Sequence, residues 1–123
     1  MKKQILIVED DPQMHEIYKD ILDARRFNIT SIQEPLKALY MIQREKKRFD
    51  LILLDILMED NLLDGRVFFV QLREALKDKT PVIVVSVLNE DQVDDLKRIG
   101  NMSFLRKPID RKELLLEIQR KLN

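Results

Sequence analysis

At 123 residues with 45% hydrophobic content, the chain is long enough to bury one core, and its 22 basic residues offset 22 acidic ones. That balance leaves no net-charge footprint for nucleic acid or an anionic membrane surface. The absence of cysteine excludes disulfides, thiolate metal sites and cysteine nucleophiles together, and fits a reducing compartment.

After Lys2-Lys3 the chain enters the apolar run Ile5-Leu6-Ile7-Val8, which ends at Glu9-Asp10. Runs of this kind without polar alternation suit strands buried on both faces, the usual state of a parallel sheet. Asp11-Pro12 then offers an N-cap oxygen and a ring preset for helix, and Met14, Ile17, Tyr18, Ile21 and Leu22 recur at helical spacing towards Arg25. A weaker strand spans Phe27 to Ile32, and Pro35 opens a second helix through Leu36, Leu39, Tyr40 and Ile42 towards Lys47. Leu51-Ile52-Leu53-Leu54 is the third strand and closes on Asp55. The spacing predicts a third helix over Arg66 to Lys77, a fourth strand from Pro81 to Val85 running into Ser86, and a short helix from Glu90 to Ile99 stopped by Gly100. Phe104-Leu105-Arg106 leads into Lys107, and a last helix from Asp110 to Leu122 carries Leu114, Leu115, Ile118 and Leu122 on one face.

Five β-α units in succession imply an α/β fold, a doubly wound, parallel five-stranded sheet with right-handed crossovers, and the expected strand order is the flavodoxin-like 2-1-3-4-5. No linker or low-complexity tract interrupts it, so residues 1–123 are expected to form one domain. No signal peptide or long apolar span is read either, and a cytoplasmic location is the expectation.

The chemistry follows from where the strands end. Open α/β sheets place their sites at the carboxyl edge, beside the topological switch point. In this order Glu9, Asp10 and Asp55 meet there, and crowded carboxylates repel unless a cation sits among them. Oxygen-only ligands favour Mg²⁺. Lys107 adds a positive charge and Ser86 a hydroxyl. A carboxylate, a divalent cation, an ammonium and a hydroxyl around one point suit phosphoryl transfer, with Asp55 as the nucleophile that becomes an aspartyl phosphate.

Other residues take plainer readings. Asp11 is a helix cap, His15 a partly exposed structural residue, Met58 packing beneath its loop, and Glu45-Lys46-Lys47-Arg48 a solvated loop.

The acid pair after Ile-Leu-Ile-Val, the aspartate closing Leu-Ile-Leu-Leu-Asp, Ser86 after Pro-Val-Ile-Val-Val, and Phe104-Leu105-Arg106-Lys107-Pro108 resemble the receiver domain of two-component response regulators across essentially the whole chain. The resemblance implies that Asp10 and Asp55 ligate Mg²⁺ directly, that Glu9 acts through water, and that the Leu57 backbone carbonyl completes the protein ligands. It implies a phosphoryl group taken by Asp55 from a histidine kinase or histidine phosphotransfer protein, with Lys107 paired to the acceptor. The domain would assist its own phosphorylation and dephosphorylation without being an enzyme in the ordinary sense. Ser86 and Phe104 would be the switch pair, altering the surface of the fourth helix, fifth strand and fifth helix, where an effector or a second copy could bind around residues 90–118. A cis Lys107-Pro108 bond is also implied.

Departures from the family pattern are expected to alter rates and partner choice. Residues 56–64 make a loop about two residues longer than usual, with Glu59 in place of proline, expected to be mobile and acidic. Val87 stands where a small residue is typical, at the mouth of the pocket. The fourth helix should be clipped or irregular, and Arg26 replaces a frequent helix-ending glycine. Two alternative readings stay open: an unphosphorylated pseudo-receiver acting as an interaction module, and a flavodoxin-like cofactor binder, which Glu9-Asp10-Asp11 disfavours by repelling a phosphate. Output could run through a partner's surface or through a further part of a longer protein.

Overall fold

The computed structural model describes residues 1–58 and 64–123. Five parallel strands, β1 (Lys3–Val8), β2 (Phe27–Ile32), β3 (Leu51–Leu54), β4 (Val82–Ser86) and β5 (Met102–Arg106), form one sheet in the order β2-β1-β3-β4-β5. The expected α/β topology is therefore present. The register places Val8 beside Leu54 and Ser86 beside Arg106, so Glu9, Asp55 and Lys107 all follow directly on paired strand ends.

Both faces of the sheet are covered, which is why the strands carry no polar alternation. Ile5, Ile7, Leu51, Leu53, Ile83 and Val85 face helices α1 (Pro12–Ile21) and α5 (Arg111–Leu122) through Met14, Tyr18, Leu114 and Ile118. Leu6, Val8, Ile52, Leu54, Val82 and Val84 face the opposite core, filled by Ala38 of α2 (Pro35–Gln43), Phe68 and Phe69 of α3 (Gly65–Val70), and Leu96 of α4 (Asp94–Ile99).

Three helices end or bend where periodicity did not foresee it. Helix α1 stops at Ile21, short of Arg25, because Leu22 turns extended and the Asp23 carboxylate accepts the Arg25 N–H at 2.9 Å. An aspartate that bonds the backbone two residues on offers the chain a turn in place of another helical turn, and with Arg26 in place of glycine this is how the chain leaves α1. Helix α2 ends at Gln43, short of Lys47, with Lys46 in the left-handed region at φ 57°; Glu45 to Arg48 are exposed, as a solvated loop requires. After α3 the helix widens into a π-helical stretch over Gln71–Ala75. Within it, the Arg73 guanidinium donates to the carbonyls of Asp78 at 2.9 Å and Asn101 at 3.0 Å, fastening this helix to the start of β5.

The fourth helix is irregular as expected: a 3₁₀ turn over Glu90–Val93 precedes α4. Arg66 of α3 pairs with Asp95 in α4 and donates to the Gln92 carbonyl at 2.7 Å, holding this broken helix against its neighbour. The Lys107-Pro108 bond is cis. Among the described residues no helix is long and apolar enough to cross a membrane.

Candidate functional site

Glu9 and Asp10 occupy the turn between β1 and α1. The Glu9 N–H still reaches the β2 end through Ile32 O at 3.1 Å, and the Asp55 N–H donates to Val8 O at 3.0 Å, so sheet hydrogen bonds carry the backbone of both segments to one edge. Asp11 is the N-cap, its carboxylate accepting from Gln13 N at 2.9 Å, as the sequence indicated. One oxygen from each of Glu9, Asp10 and Asp55 lies within 4.8 Å of the others. Asp10 is the half-buried member of the group, while Glu9 and Asp55 are buried.

Lys107 reaches this cluster from the end of β5. Its Nζ donates to Glu9 Oε1 at 2.7 Å and to Asp55 Oδ2 at 3.0 Å. The reach is set by the backbone, since the Lys107 N–H donates to Ser86 O at 2.8 Å and continues the β4–β5 pairing by one residue. Ser86 is fully buried at the end of β4, its Oγ accepting from Leu88 N at 3.4 Å. Strand alternation puts Ser86 on the same sheet face as Val82 and Val84, and Phe104 packs into that same core. Asp55 Oδ1 accepts from Leu57 N at 3.3 Å. Leu57 and Val87 are exposed at 46% and 56%, so both present apolar side chains to solvent beside buried reactive neighbours. Met58 is buried in the core, in agreement with its packing role. Glu59 and the rest of 59–63 lie outside the described residues.

One ammonium facing three carboxylates leaves the cluster short of positive charge. Burial, reinforced by the Asp55 charge, pushes the Glu9 carboxyl up to about 7 despite its bond to Lys107. Burial works to lower the Lys107 ammonium, yet its contacts with Glu9 and Asp55 outweigh this and the net displacement is upward. Tyr18, buried on α1, has its phenol raised by burial and further by the charges of Glu9 and Asp55. An oxygen-only donor set with uncompensated negative charge fits a hard divalent cation such as Mg²⁺.

The raised Glu9 carboxyl predicts an unusual pH response for the metal-free protein. Between pH 4.5 and 7 the folded state keeps a proton that the unfolded chain releases, so stability should fall as pH rises through this window, by about 1–3 kcal/mol. Mg²⁺ would replace that proton as the neutralising charge. Urea unfolding with and without Mg²⁺ should therefore show a larger increment from the metal at pH 8 than at pH 5.5; an equal or reversed increment would contradict the assignment of Glu9 to the cation cluster.

Two residues at the site were misread or passed over in the sequence. His15 is not partly exposed: it is 5% exposed, with Nε2 2.6 Å from the Glu9 carbonyl oxygen. The α1 face turns it inward alongside Met14 and Tyr18, and its position between apolar residues was the available signal. Gly65 lies against the Asp55 backbone, where a Cβ would collide with the Asp55 carbonyl oxygen. A cavity of about 810 Å³, bordered by Lys2, Arg26, Phe27 and Leu122, includes none of these acid-cluster residues and lies apart from this chemistry.

Comparison with known proteins bears on the chain as a whole. The nisin biosynthesis regulatory protein NisR of Lactococcus lactis is 31% identical over 121 residues, covering 97% of this chain and 50% of NisR. The two-component response regulator ARR18 of Arabidopsis thaliana is 32% identical over 113 residues, covering 90% of this chain and 17% of that protein. The chain thus spans half or less of the length of these relatives. In fold it resembles a receiver domain protein from Methanospirillum hungatei, with a TM-score of 0.84 at 24% identity over 99% of this chain and 94% of that one. The family model for the response regulator receiver domain matches residues 5–119, and the chain belongs to that family.

Proposed function

We propose that this receiver domain accepts a phosphoryl group on Asp55 from a phosphohistidine of a histidine kinase or histidine phosphotransfer protein. The observation that carries the reading is the Lys107 bridge, at 3.0 Å to Asp55 and 2.7 Å to Glu9, within a cluster that also includes Asp10. An Asp55 carboxylate oxygen forms the new O–P bond while the N–P bond to the donor imidazole breaks, and the imidazole leaves with the electron pair. Lys107 is placed to neutralise charge on Asp55 before transfer and on a phosphoryl oxygen after it. Glu9, Asp10, Asp55 and the Leu57 carbonyl would hold Mg²⁺, which when bound supplies charge neutralisation for the phosphoryl oxygens. The domain is a signalling phosphoacceptor that assists both gain and loss of its phosphate. Exposed Leu57 and Val87 flank the pocket and offer a donor protein apolar contact.

The test is incubation with acetyl phosphate and Mg²⁺. One acid-labile, hydroxylamine-sensitive phosphoryl group should appear by intact mass, and chelation should prevent it. No labelling under any donor would leave the interaction-module reading in its place.

Ser86 and Phe104 are proposed as the switch, because both face the core that includes α4. Ser86→Ala should still accept phosphate but fail to alter the surface around residues 90–118, through which an effector or a second copy would be engaged. Amide shifts with and without beryllofluoride measure this. Equal shifts on that face in wild type and variant would remove Ser86 from the switch.

A further inference from the structure

Building on the reading of Glu9 and Asp10 as metal ligands, we propose that His15 is a positioning residue for this acid pair, orienting the Glu9–Asp10 peptide through a hydrogen bond from Nε2 to the Glu9 carbonyl. Glu9 lies one residue beyond β1. Its N–H is taken by Ile32 O at 3.1 Å, but Ile32 is the last residue of β2, so the ladder ends before it can serve the Glu9 carbonyl. His15 supplies that donor at 2.6 Å. A carbonyl oxygen only accepts, so Nε2 carries the proton.

The other ring nitrogen indicates what the histidine is for. Nδ1 is buried and has no hydrogen-bond partner among the described residues. A leucine or phenylalanine would fill the same core position without burying an unpaired polar atom. The bond to Glu9 is what the imidazole adds.

That bond acts on both acids at once. The Glu9 C=O and the Asp10 N–H belong to one planar unit, so fixing the carbonyl direction fixes the plane that joins the two Cα atoms and from which both carboxylates project. The lever is stiff. Asp11 caps α1 through Gln13 N at 2.9 Å, Pro12 starts the helix, and the Asp11 N–H returns to Glu9 Oε2 at 3.2 Å. His15 thus joins the turn of residues 9–11 to the first turns of the helix it precedes. Groups that orient metal ligands commonly change metal affinity by about 10–100-fold when removed.

The experiment compares His15→Gln, His15→Asn and His15→Leu by calorimetric titration with Mg²⁺ alone and by amide spectra of the metal-free proteins. The glutamine amide nitrogen lies as many bonds from Cα as histidine Nε2, and the asparagine nitrogen one fewer. His15→Gln should therefore bind Mg²⁺ within about threefold of wild type, and the asparagine and leucine variants roughly tenfold more weakly. If the leucine variant does not fold, the glutamine–asparagine pair decides. Equal affinities for that pair would overturn the proposal, since only the glutamine amide has the reach to donate to the Glu9 carbonyl. In the metal-free spectra the Glu9 and Asp10 amides should keep wild-type positions in His15→Gln and shift in His15→Asn. Absence of Mg²⁺ binding by wild type would strike the metal reading itself; the amide comparison would still uphold or refute the positioning role.

Discussion

Asp55→Asn is expected to abolish phosphoryl labelling while leaving the domain folded. Glu9 and Asp55 are both buried and bonded to Lys107, but Asp55 alone follows the central strand β3, with Leu57 N steadying its second oxygen. Asparagine preserves the shape and can still accept from Leu57 N through its amide oxygen, but it is no nucleophile towards phosphorus. It also removes one negative charge from a cluster in which the charges of Glu9 and Asp55 repel. The metal-free variant should consequently be at least as stable as wild type near pH 8, where that repulsion is greatest. Its Glu9 carboxyl should titrate lower, because the Asp55 charge is one of the causes holding it up. Intact mass after acetyl phosphate treatment and urea unfolding at pH 8 check the two halves separately. Undiminished labelling would show that another residue is the acceptor; a large loss of stability would show that the Asp55 charge holds the fold together.

Gly65→Ala should be the most damaging single methyl addition near the site. A Cβ at Gly65 would overlap the Asp55 carbonyl oxygen and lie 2.7 Å from Ile56 Cα and 2.8 Å from the Asp55 carbonyl carbon. All three neighbours are backbone, so no side chain can swing away. The Gly65 N–H also donates to Ile56 O at 3.0 Å, which keeps α3 pressed against the residues following β3. Relief requires moving either the start of α3 or the backbone of Asp55 itself. Overpacking of this kind should cost about 3 kcal/mol or more and lower the labelling of whatever protein remains folded. Gly100→Ala is the comparison. Gly100 has φ 113° with nothing within 4 Å of the added methyl, so only backbone strain opposes it, at about 1–2 kcal/mol. Urea midpoints for the two variants decide the matter, and a Gly65→Ala protein more stable than Gly100→Ala would refute the close-approach argument.

The sheet was legible because its physical cause is local. Ile5 to Val8, Leu51 to Leu54 and Val82 to Val85 are buried on both faces, and that demand writes itself as unbroken apolar runs. The polar edge was legible for the same reason: each run ends where the strand leaves the core, and Glu9-Asp10, Asp55, Ser86 and Lys107 stand at those ends. Alternation and crossover handedness gave a parallel sheet covered on both faces; the order β2-β1-β3-β4-β5 is set by which strands pair in the folded sheet. The cap at Asp11 was readable because a cap acts within its own first turn.

What the sequence alone could not decide depends on neighbours far along the chain. The partner that His15 meets inside depends on where β2 stops, which leaves the Glu9 carbonyl without a strand partner. The need for glycine at position 65 comes from contact with a strand end ten residues earlier, although its backbone angles would admit another residue. The widened helical stretch at Gln71–Ala75 fastens through Arg73 to carbonyls at Asp78 and Asn101, and the Asp23 turn ends α1 where helical periodicity continues towards Arg25. Periodicity reports which face of a segment is buried; it carries no information about which hydrogen-bonding group waits on the other side. For this protein the pattern of apolar residues determined the scaffold and the edge that holds the acids, while tertiary packing decided how those acids are held in register.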